Sequence, residues 1–376
     1  MSRRSRVASL LAAAFTLALL AAPPALADFT PQQRAELQQA IDAEIQASGY
    51  PGIVAGIWVP GRGSFVSATG VAVRQDNRPM RVGDTFRIGS ITKTFTATIV
   101  LQLVQRHLLR LDDRLDRYVK GIPAGRQITI RQLLNHTSGI PDTSNAITKG
   151  VFANPQHRWR PIRVIRNAVR QKRYCRPGKC WHYSNTNYQL LGVIATKVTG
   201  HSMRRLYERG ILRRVGLGRT AFEPGTTVPA PRAHGYDHET LTGPFVDTTG
   251  WDFYWSWTAG SMTSTLADLK RWAPVLGTGK GVLSKRMQRA RLRFVPTGTP
   301  GLSYGLGIMQ VGGLLGHDGA VPGYDSLVLY APSTGATIAI LGNTAVELDA
   351  TKNKAPSTLL DLGDCLVETL AGEGCA

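Results

Sequence analysis

Strand-like alternation at both ends of the chain, with helical periodicity filling the middle, is the pattern that most narrows the fold. Ile53 to Val59 and Phe65 to Val73 read as paired strands around the Pro60-Gly61-Arg62-Gly63 turn. Far downstream, Tyr304 to Gln310, Leu314 to His317, Ser326 to Tyr330 and Ala336 to Leu341 read as successive strands punctuated by Gly and Pro. A sheet closed by the two ends follows, so the expected class is α+β: an antiparallel sheet flanked by helices, with an inserted, mainly helical subdomain.

The helical signals are spaced accordingly. Pro31 to Ser48 has helical periodicity, and a helix should start near Ser90 and run through Phe95, Ile99 and Leu103 to about Leu109. Ile128 to Asn135 reads as a short helix opening behind Thr129, Asn187 to Thr199 as an apolar-rich helix stopped by Gly200, and Pro356 to Ala371 as a closing helix.

Arg3, Arg4 and Arg6, the apolar run from Val7 to Ala22 and the small-residue signal Ala25-Leu26-Ala27 describe a Sec-type signal peptide over residues 1–27. Its apolar core is short and is broken by Pro23 and Pro24, which argues against a membrane anchor. Residues 28–376 are then expected to be one secreted or envelope-associated catalytic domain, an α/β part over 28–85 and 258–376 and a helical part over 86–257, with the active site at their junction. Export makes disulfides plausible for Cys175, Cys180, Cys365 and Cys375, whose spacing suits no metal site; the sequence alone leaves three pairings open.

Net charge is +20, or +17 once the three signal arginines are removed. From Arg158 to Lys179 there are nine Lys or Arg residues and no acid. Ile162, Ile165 and Val169 read there as an apolar helix stripe, opposite Arg163, Arg166, Arg170 and Arg173. Either this is a solvated face or Arg163, Arg166 and Arg170 adhere to an anionic wall polymer or lipid headgroups. Nucleic acid fits poorly, because no reading motif accompanies the charge.

The chemistry concentrates in Ser90-Ile91-Thr92-Lys93, Tyr183-Ser184-Asn185 and His317-Asp318-Gly319. Residues three apart on a helix share a face, so Lys93 stands one turn beyond Ser90 with its amine near the hydroxyl. The positive helix N-terminus and partial burial both favour a neutral amine able to take the serine proton. A Ser/His/Asp triad through His317 and Asp318 is disfavoured, since neighbours on a strand point to opposite faces. His136, in its Asn-His-Thr-Ser-Gly turn, reads as structural.

Taken with Leu133 to Ile140, Pro177-Gly178, Ala259-Gly260-Ser261-Met262, Tyr304-Gly305-Leu306-Gly307 and Gly316 to Gly319, these motifs resemble the penicillin-recognising serine hydrolases. The branch is the one containing class C β-lactamases, serine D-Ala-D-Ala carboxypeptidases, D-aminopeptidases and related esterases. The resemblance spans nearly all of the chain after residue 27 and implies a β-lactamase/transpeptidase-like fold. It makes Ser90 the acylated nucleophile, Lys93 its activator and Tyr183 the proton carrier, as phenolate base or phenol acid. Asn185 would hold the substrate amide and the Lys93 side chain, His317 would tune Tyr183, and the N–H groups of Ser90 and Ala320 would form the oxyanion hole. No cofactor or metal is implied.

Two departures bear on substrate. Asp318 stands where carboxypeptidase-like sites often carry a hydroxyl residue for the substrate carboxylate, and Ile308, Met309 and Gln310 follow Tyr-Gly-Leu-Gly where such relatives tend to place an arginine. Trp255 and Trp257 are candidates for an aromatic pocket wall, with Asp318 and Gly319 beside the substrate. The expected protein is a monomeric D-alanyl-D-alanine carboxypeptidase acting on peptide, ester or β-lactam substrates. An esterase or D-aminopeptidase of the same family is the alternative, and a non-catalytic wall-binding protein the reading from another class.

Overall fold

Thr30 opens the first helix, α1 (Pro31–Ser48), with a reciprocal cap: its hydroxyl accepts from the Gln33 N–H while the Gln33 side chain accepts from the Thr30 N–H. Gly49, at φ 70°, ends it and turns the chain into β1 (Gly52–Val59), β2 (Gly63–Val73) and the short β3 (Arg78–Pro79). The computed structural model describes residues 28–238 and 244–345, with helical positions at Leu359, Leu362, Gly363 and Leu366. The expected signal segment 1–27, Cys365, Cys375 and the other positions of the expected closing helix lie outside the described residues.

The helical middle contains α2 (Thr92–Gln105), α3 (Ile130–Leu134), α4 (Thr143–Ala153), α5 (Pro161–Ala168), α6 (Asn185–Thr199) and α7 (Met203–Tyr207). After α8 (Leu266–Thr278) and α9 (Lys285–Arg291) come β4 (Val295–Pro296), β5 (Leu302–Tyr304), β6 (Met309–Val311), β7 (Leu314–Val321), β8 (Tyr324–Tyr330) and β9 (Thr337–Gly342). Among the described residues these build one nine-stranded sheet in the order β3-β2-β1-β9-β8-β7-β6-β5-β4. The ends of the pattern meet inside it, where β1 runs antiparallel to β9 from Ile53 opposite Gly342 to Trp58 opposite Thr337.

Alternation sorts β1 between two cores. Ile53, Ala55 and Ile57 face a back layer with Leu37 and Ile41 of α1 and with Leu359, Leu362 and Leu366. Val54 faces the front, a larger core shared with Phe95 of α2, Leu190 of α6 and Trp272 of α8. The mixed architecture expected from the sequence is therefore the one observed.

Three local expectations are corrected. The helix from Ser90 stops at Gln105 because His107 adopts φ 59° and the Leu108 N–H turns back to the Leu103 carbonyl, a left-handed stop with no glycine to announce it. Tyr304 to Gln310 is a hairpin, β5 and β6, because Gly307 takes φ 73° and its N–H reaches the Leu134 carbonyl. On α5 the buried stripe is Val164, Ile165 and Ala168, while Ile162 is 40% exposed and Val169 half-buried. Pro161 opens the helix, and packing against α4 and α6 decides which residues it buries.

The basic cluster divides in consequence. Arg163, Arg166 and Arg170 are exposed. Arg173 turns inward and donates to the carbonyls of Pro123, Ser138 and Cys175. The sequence left cysteine pairing open; Cys175 and Cys180 are bonded, with Cα atoms 6.2 Å apart. Their loop is stitched to the Thr137–Gly139 turn by Arg173 and by the Gly178 N–H on the Thr137 carbonyl. Among the described residues no helix is long and apolar enough to cross a membrane.

Loop-closure entropy for so short a ring is worth about 2 kcal/mol. The Cys175→Ser/Cys180→Ser double variant should lower the unfolding free energy by that amount, read as a lower denaturant midpoint at unchanged slope; an unchanged midpoint would show that Arg173 and the Gly178 contact hold the loop without the bond.

Candidate active site

The chain enters the site through Phe86–Arg87, which pairs with Met262–Ser264, and a single 3₁₀ turn, Gly89–Ile91, that runs into α2. Ser90 sits on the turn and Lys93 on the first turn of α2, fully buried. Lys93 Nζ lies 2.8 Å from Ser90 Oγ and 2.9 Å from the Ala259 carbonyl. Burial pushes its pKa down to about 7, against the opposing pull of Asp142 and Asp318. A neutral amine has two N–H groups and one lone pair; with one N–H spent on Ala259, the lone pair is available to the Ser90 hydroxyl.

Tyr183 lies over this pair, with Lys93 Nζ 4.7 Å from its ring centre. Burial, then the Asp318 charge, push its pKa well above the ordinary tyrosine value, and a hydrogen bond with Ser90 works only partly against them. Tyr183 is therefore a phenol near neutrality. Of the two roles the sequence left open, proton donor fits and resident phenolate base does not.

The expected oxyanion edge depends on missing side chains. Gly89 (φ 41°) and Gly319 of β7 pack backbone against backbone: a Cβ on Gly89 would lie 2.8 Å from Ala320 N, and one on Gly319 would lie 2.8 Å from Ser90 N. Ser326 Oγ of β8 straps the two chains, 3.1 Å from the Ile88 carbonyl and 2.9 Å from the Gly319 carbonyl. The Ser90 and Ala320 amides are thus held on one edge.

Other expected residues are placed differently. The Asn185 amide donates to Asp142 Oδ2 at 3.2 Å and Ser144 Oγ at 2.9 Å, while its backbone N–H donates to Asp142 Oδ1 at 2.7 Å. Asn185 orders α4 against α6, and the polar contacts of Lys93 go to Ser90 and Ala259 instead of to Asn185. His317 is buried, with Nε2 2.8 Å from Tyr304 Oη and Nδ1 2.6 Å from the Asp318 carbonyl; its ring centre is 6.3 Å from that of Tyr183. Its hydrogen bonds therefore reach Tyr304, not Tyr183.

Strand alternation does not separate His317 from Asp318 as expected, because the carboxylate folds around the shared peptide to lie 3.2 Å from Nδ1. A Ser/His/Asp triad still does not form, since the other ring nitrogen faces Tyr304. Partial burial works to raise the Asp318 carboxyl, but hydrogen bonding and charge from His317, with Lys93 behind, hold it below the usual range. Asp318 is thus ionised near neutrality, and its side chain is 53% exposed.

Trp255 lines a cavity of about 130 Å³ that reaches Ala320, between Ser144, Ile147, Val151 and Phe152 of α4 and Val321 of β7. Trp257 packs instead against Gly192 of α6. His136 (φ 61°) accepts the Ser184 N–H at Nδ1, 3.1 Å away, and is kept neutral by burial and by the charges of Lys93, His317 and His182. Sequence reasoning gave Asp142 and Ser326 no role and took Tyr304 only as the first residue of the Tyr-Gly-Leu-Gly motif; for Asp142 the local signal was the Pro141-Asp142-Thr143 start of a helix. Among the described residues no His/Cys/Asp/Glu cluster could hold a metal.

A family model described as Beta-lactamase matches residues 37–361. Penicillin-binding protein 4* of Bacillus subtilis (strain 168) is 27% identical over 293 residues, 73% of this chain and 64% of that protein, so this chain spans just under two thirds of its length. Among solved structures, a D-stereospecific amidohydrolase from Streptomyces sp. has TM-score 0.77 and 30% identity, covering 89% of this chain and 97% of its own. The D-amino acid amidase from Ochrobactrum anthropi SV3, complexed with D-phenylalanine, has TM-score 0.78 and 26% identity over 90% of this chain and 99% of its own.

Because Lys93 must be neutral to accept a proton, Ser90 acylation by an activated ester should fall as pH drops below about 7 and level off above it. Stability should show the same group with a defined sign: below about 7 the ammonium is charged in both states and its burial cost is felt in full, and that cost is relieved as pH rises from there towards the ordinary lysine range. Rapid-mixing measurement of adduct formation checks this, with Lys93→Met expected to be slower by about a hundredfold or more; a flat profile across neutrality would remove Lys93 as the base.

Proposed function

The chain belongs to the Beta-lactamase family of serine hydrolases, and we propose that within it the protein is an exported amidase or aminopeptidase that releases amine-bearing D-amino acids through a Ser90 acyl-enzyme. The carrying observation is the ionised, half-exposed carboxylate of Asp318, immediately before the Gly319–Ala320 edge. At about 4 Å and an effective dielectric of 20, it would repel a substrate carboxylate by up to about 4 kcal/mol and attract an ammonium by the same amount. D-Ala-D-Ala carboxypeptidase chemistry, which needs a free carboxylate bound, ranks below it. The two structural relatives, a D-stereospecific amidohydrolase and a D-amino acid amidase, support the same substrate class.

In this reading the substrate ammonium meets Asp318, its side chain enters the apolar cavity beside Trp255, and its carbonyl oxygen lies between the Ser90 and Ala320 amides. Ser90 Oγ bonds to the carbonyl carbon as its proton passes to Lys93. Tyr183 donates a proton to the leaving nitrogen as the C–N bond breaks, and the Lys93 ammonium returns one to Tyr183. Water then attacks the acyl ester, its hydroxyl going to the acyl carbon and its proton back to Ser90 through Lys93. An ester would follow the same steps with an alcohol as leaving group.

D-Phenylalaninamide should be hydrolysed at least tenfold faster, in kcat/KM, than its N-acetyl form, and Asp318→Asn should erase that preference while intact-mass analysis still shows Ser90 acylated by an activated ester. Preferential release of D-alanine from an N-acylated D-Ala-D-Ala peptide would return the protein to the carboxypeptidase class, and absence of any Ser90 adduct would end the hydrolase reading. Export rests on the residue 1–27 pattern: protein recovered outside the cytosol should begin at Asp28, and recovery of the whole chain only from the cytosol would refute it.

A further inference from the structure

A larger cavity, of about 610 Å³, lies at the far end of α2 from Ser90. Its floor is apolar: Ile99 and Leu103 of α2 and Val282 are buried, and Val198 and Leu206 are half-buried beside them. Its rim is cationic, formed by Arg106, Arg205, Arg209 and Arg214 with His201. All four arginines are exposed, and no Asp or Glu lines the cavity. Of the nearby acids, which lie outside this lining, Glu223 is paired with Arg204, and the charge of Glu208, beside Arg209 in sequence, also acts on Arg204. Leu108, thrown outward by the left-handed stop of α2, sits on the same rim and is 42% exposed.

The backbone here is unusual as well. Glu208–Leu212 continues α7 as a π-helical turn, a form that appears in short pieces and often at functional sites. Gly210 in that turn lies close enough to α2 that a Cβ would come within 2.7 Å of Ile99 Cδ1. The turn therefore lies directly against the apolar floor while Arg205 and Arg209, four residues apart, share the rim.

A soluble polyanion would use the rim and leave the floor wet. An uncharged apolar ligand would use the floor and leave four arginines unneutralised. An amphiphile with an anionic head satisfies both. We propose that this groove docks the protein on a membrane surface rich in anionic phospholipid, with phosphate headgroups against Arg106, Arg205 and Arg209 and acyl carbon over the Ile99–Leu103 floor, beside Leu108. Along the rise of α2, Arg106 lies roughly 20 Å from Lys93, so a protein docked this way keeps Ser90 at the other end of the helix, clear of the surface. The inference is independent of which bond Ser90 attacks.

The full chain lacking residues 1–27 would be sedimented with phosphatidylcholine vesicles, with and without phosphatidylglycerol. Binding is expected only with phosphatidylglycerol. It should weaken about tenfold or more in Arg205→Ala/Arg209→Ala, and measurably in Leu108→Ser, with ester turnover unchanged in both. The Arg163→Ala/Arg166→Ala/Arg170→Ala variant, charged elsewhere on the surface, should bind as the parent does. Undiminished binding by the Arg205/Arg209 variant, or loss confined to the Arg163 variant, would overturn the assignment. Binding that Leu108→Ser leaves intact and that soluble polyphosphate abolishes would overturn it in favour of a polyanion site.

Discussion

The candidate active site depends on one backbone-to-backbone contact, where the turn carrying Ser90 lies against β7. Two glycines, Gly89 and Gly319, let the chains approach, and the Ser326 hydroxyl holds them there. The contact joins the helical middle to the sheet. On one side it carries Ser90 and Lys93, the proposed nucleophile and base; on the other it carries the Ala320 amide, the proposed second oxyanion donor, and, two residues earlier, Asp318. A close approach of this kind has no soft side chain to absorb error, which is why it suits a site whose donors must be fixed before the transition state forms.

The electrostatics of the site follow from burying a lysine beside two carboxylates without pairing it directly to either. Desolvation brings Lys93 down to about 7, while Asp142 and Asp318 keep it from falling further. Burial, and then the same Asp318 charge, push Tyr183 up. Burial thereby separates the two groups, lowering the lysine and raising the tyrosine, which suits the lysine to the proposed role of base and the tyrosine to that of acid over the same hydroxyl.

Much of this was legible along the chain wherever the determinant was local. Thr30 and Gly49 bound α1, Thr129 caps α3 and Gly200 ends α6, each by a side chain or a missing one acting within a few residues. The Ser-x-x-Lys spacing placed Lys93 one helical turn from Ser90 for the same reason. What escaped was set by distant contacts or by atypical residues. A histidine in the left-handed conformation ends α2, a glycine pressed towards Leu134 divides β5 from β6, and packing against α4 and α6 decides which residues α5 buries. The partners of His317 and Asn185 escaped because they lie on other elements: Tyr304 across the sheet, and Asp142 and Ser144 at the start of α4. A motif fixes which groups are present; the elements packed around it decide which atoms they face.

The pairing of β1 with β9 has a consequence in time. Ile53 meets Gly342 inside the sheet, so β1, the first strand to emerge from the ribosome, waits for the last described strand before its second edge is filled. Until then β1 and β2 can form only a hairpin, and the oxyanion edge, which needs β7, cannot assemble. The growing chain has its nucleophile long before it has anywhere to use it, and stays an unclosed polymer through most of its synthesis.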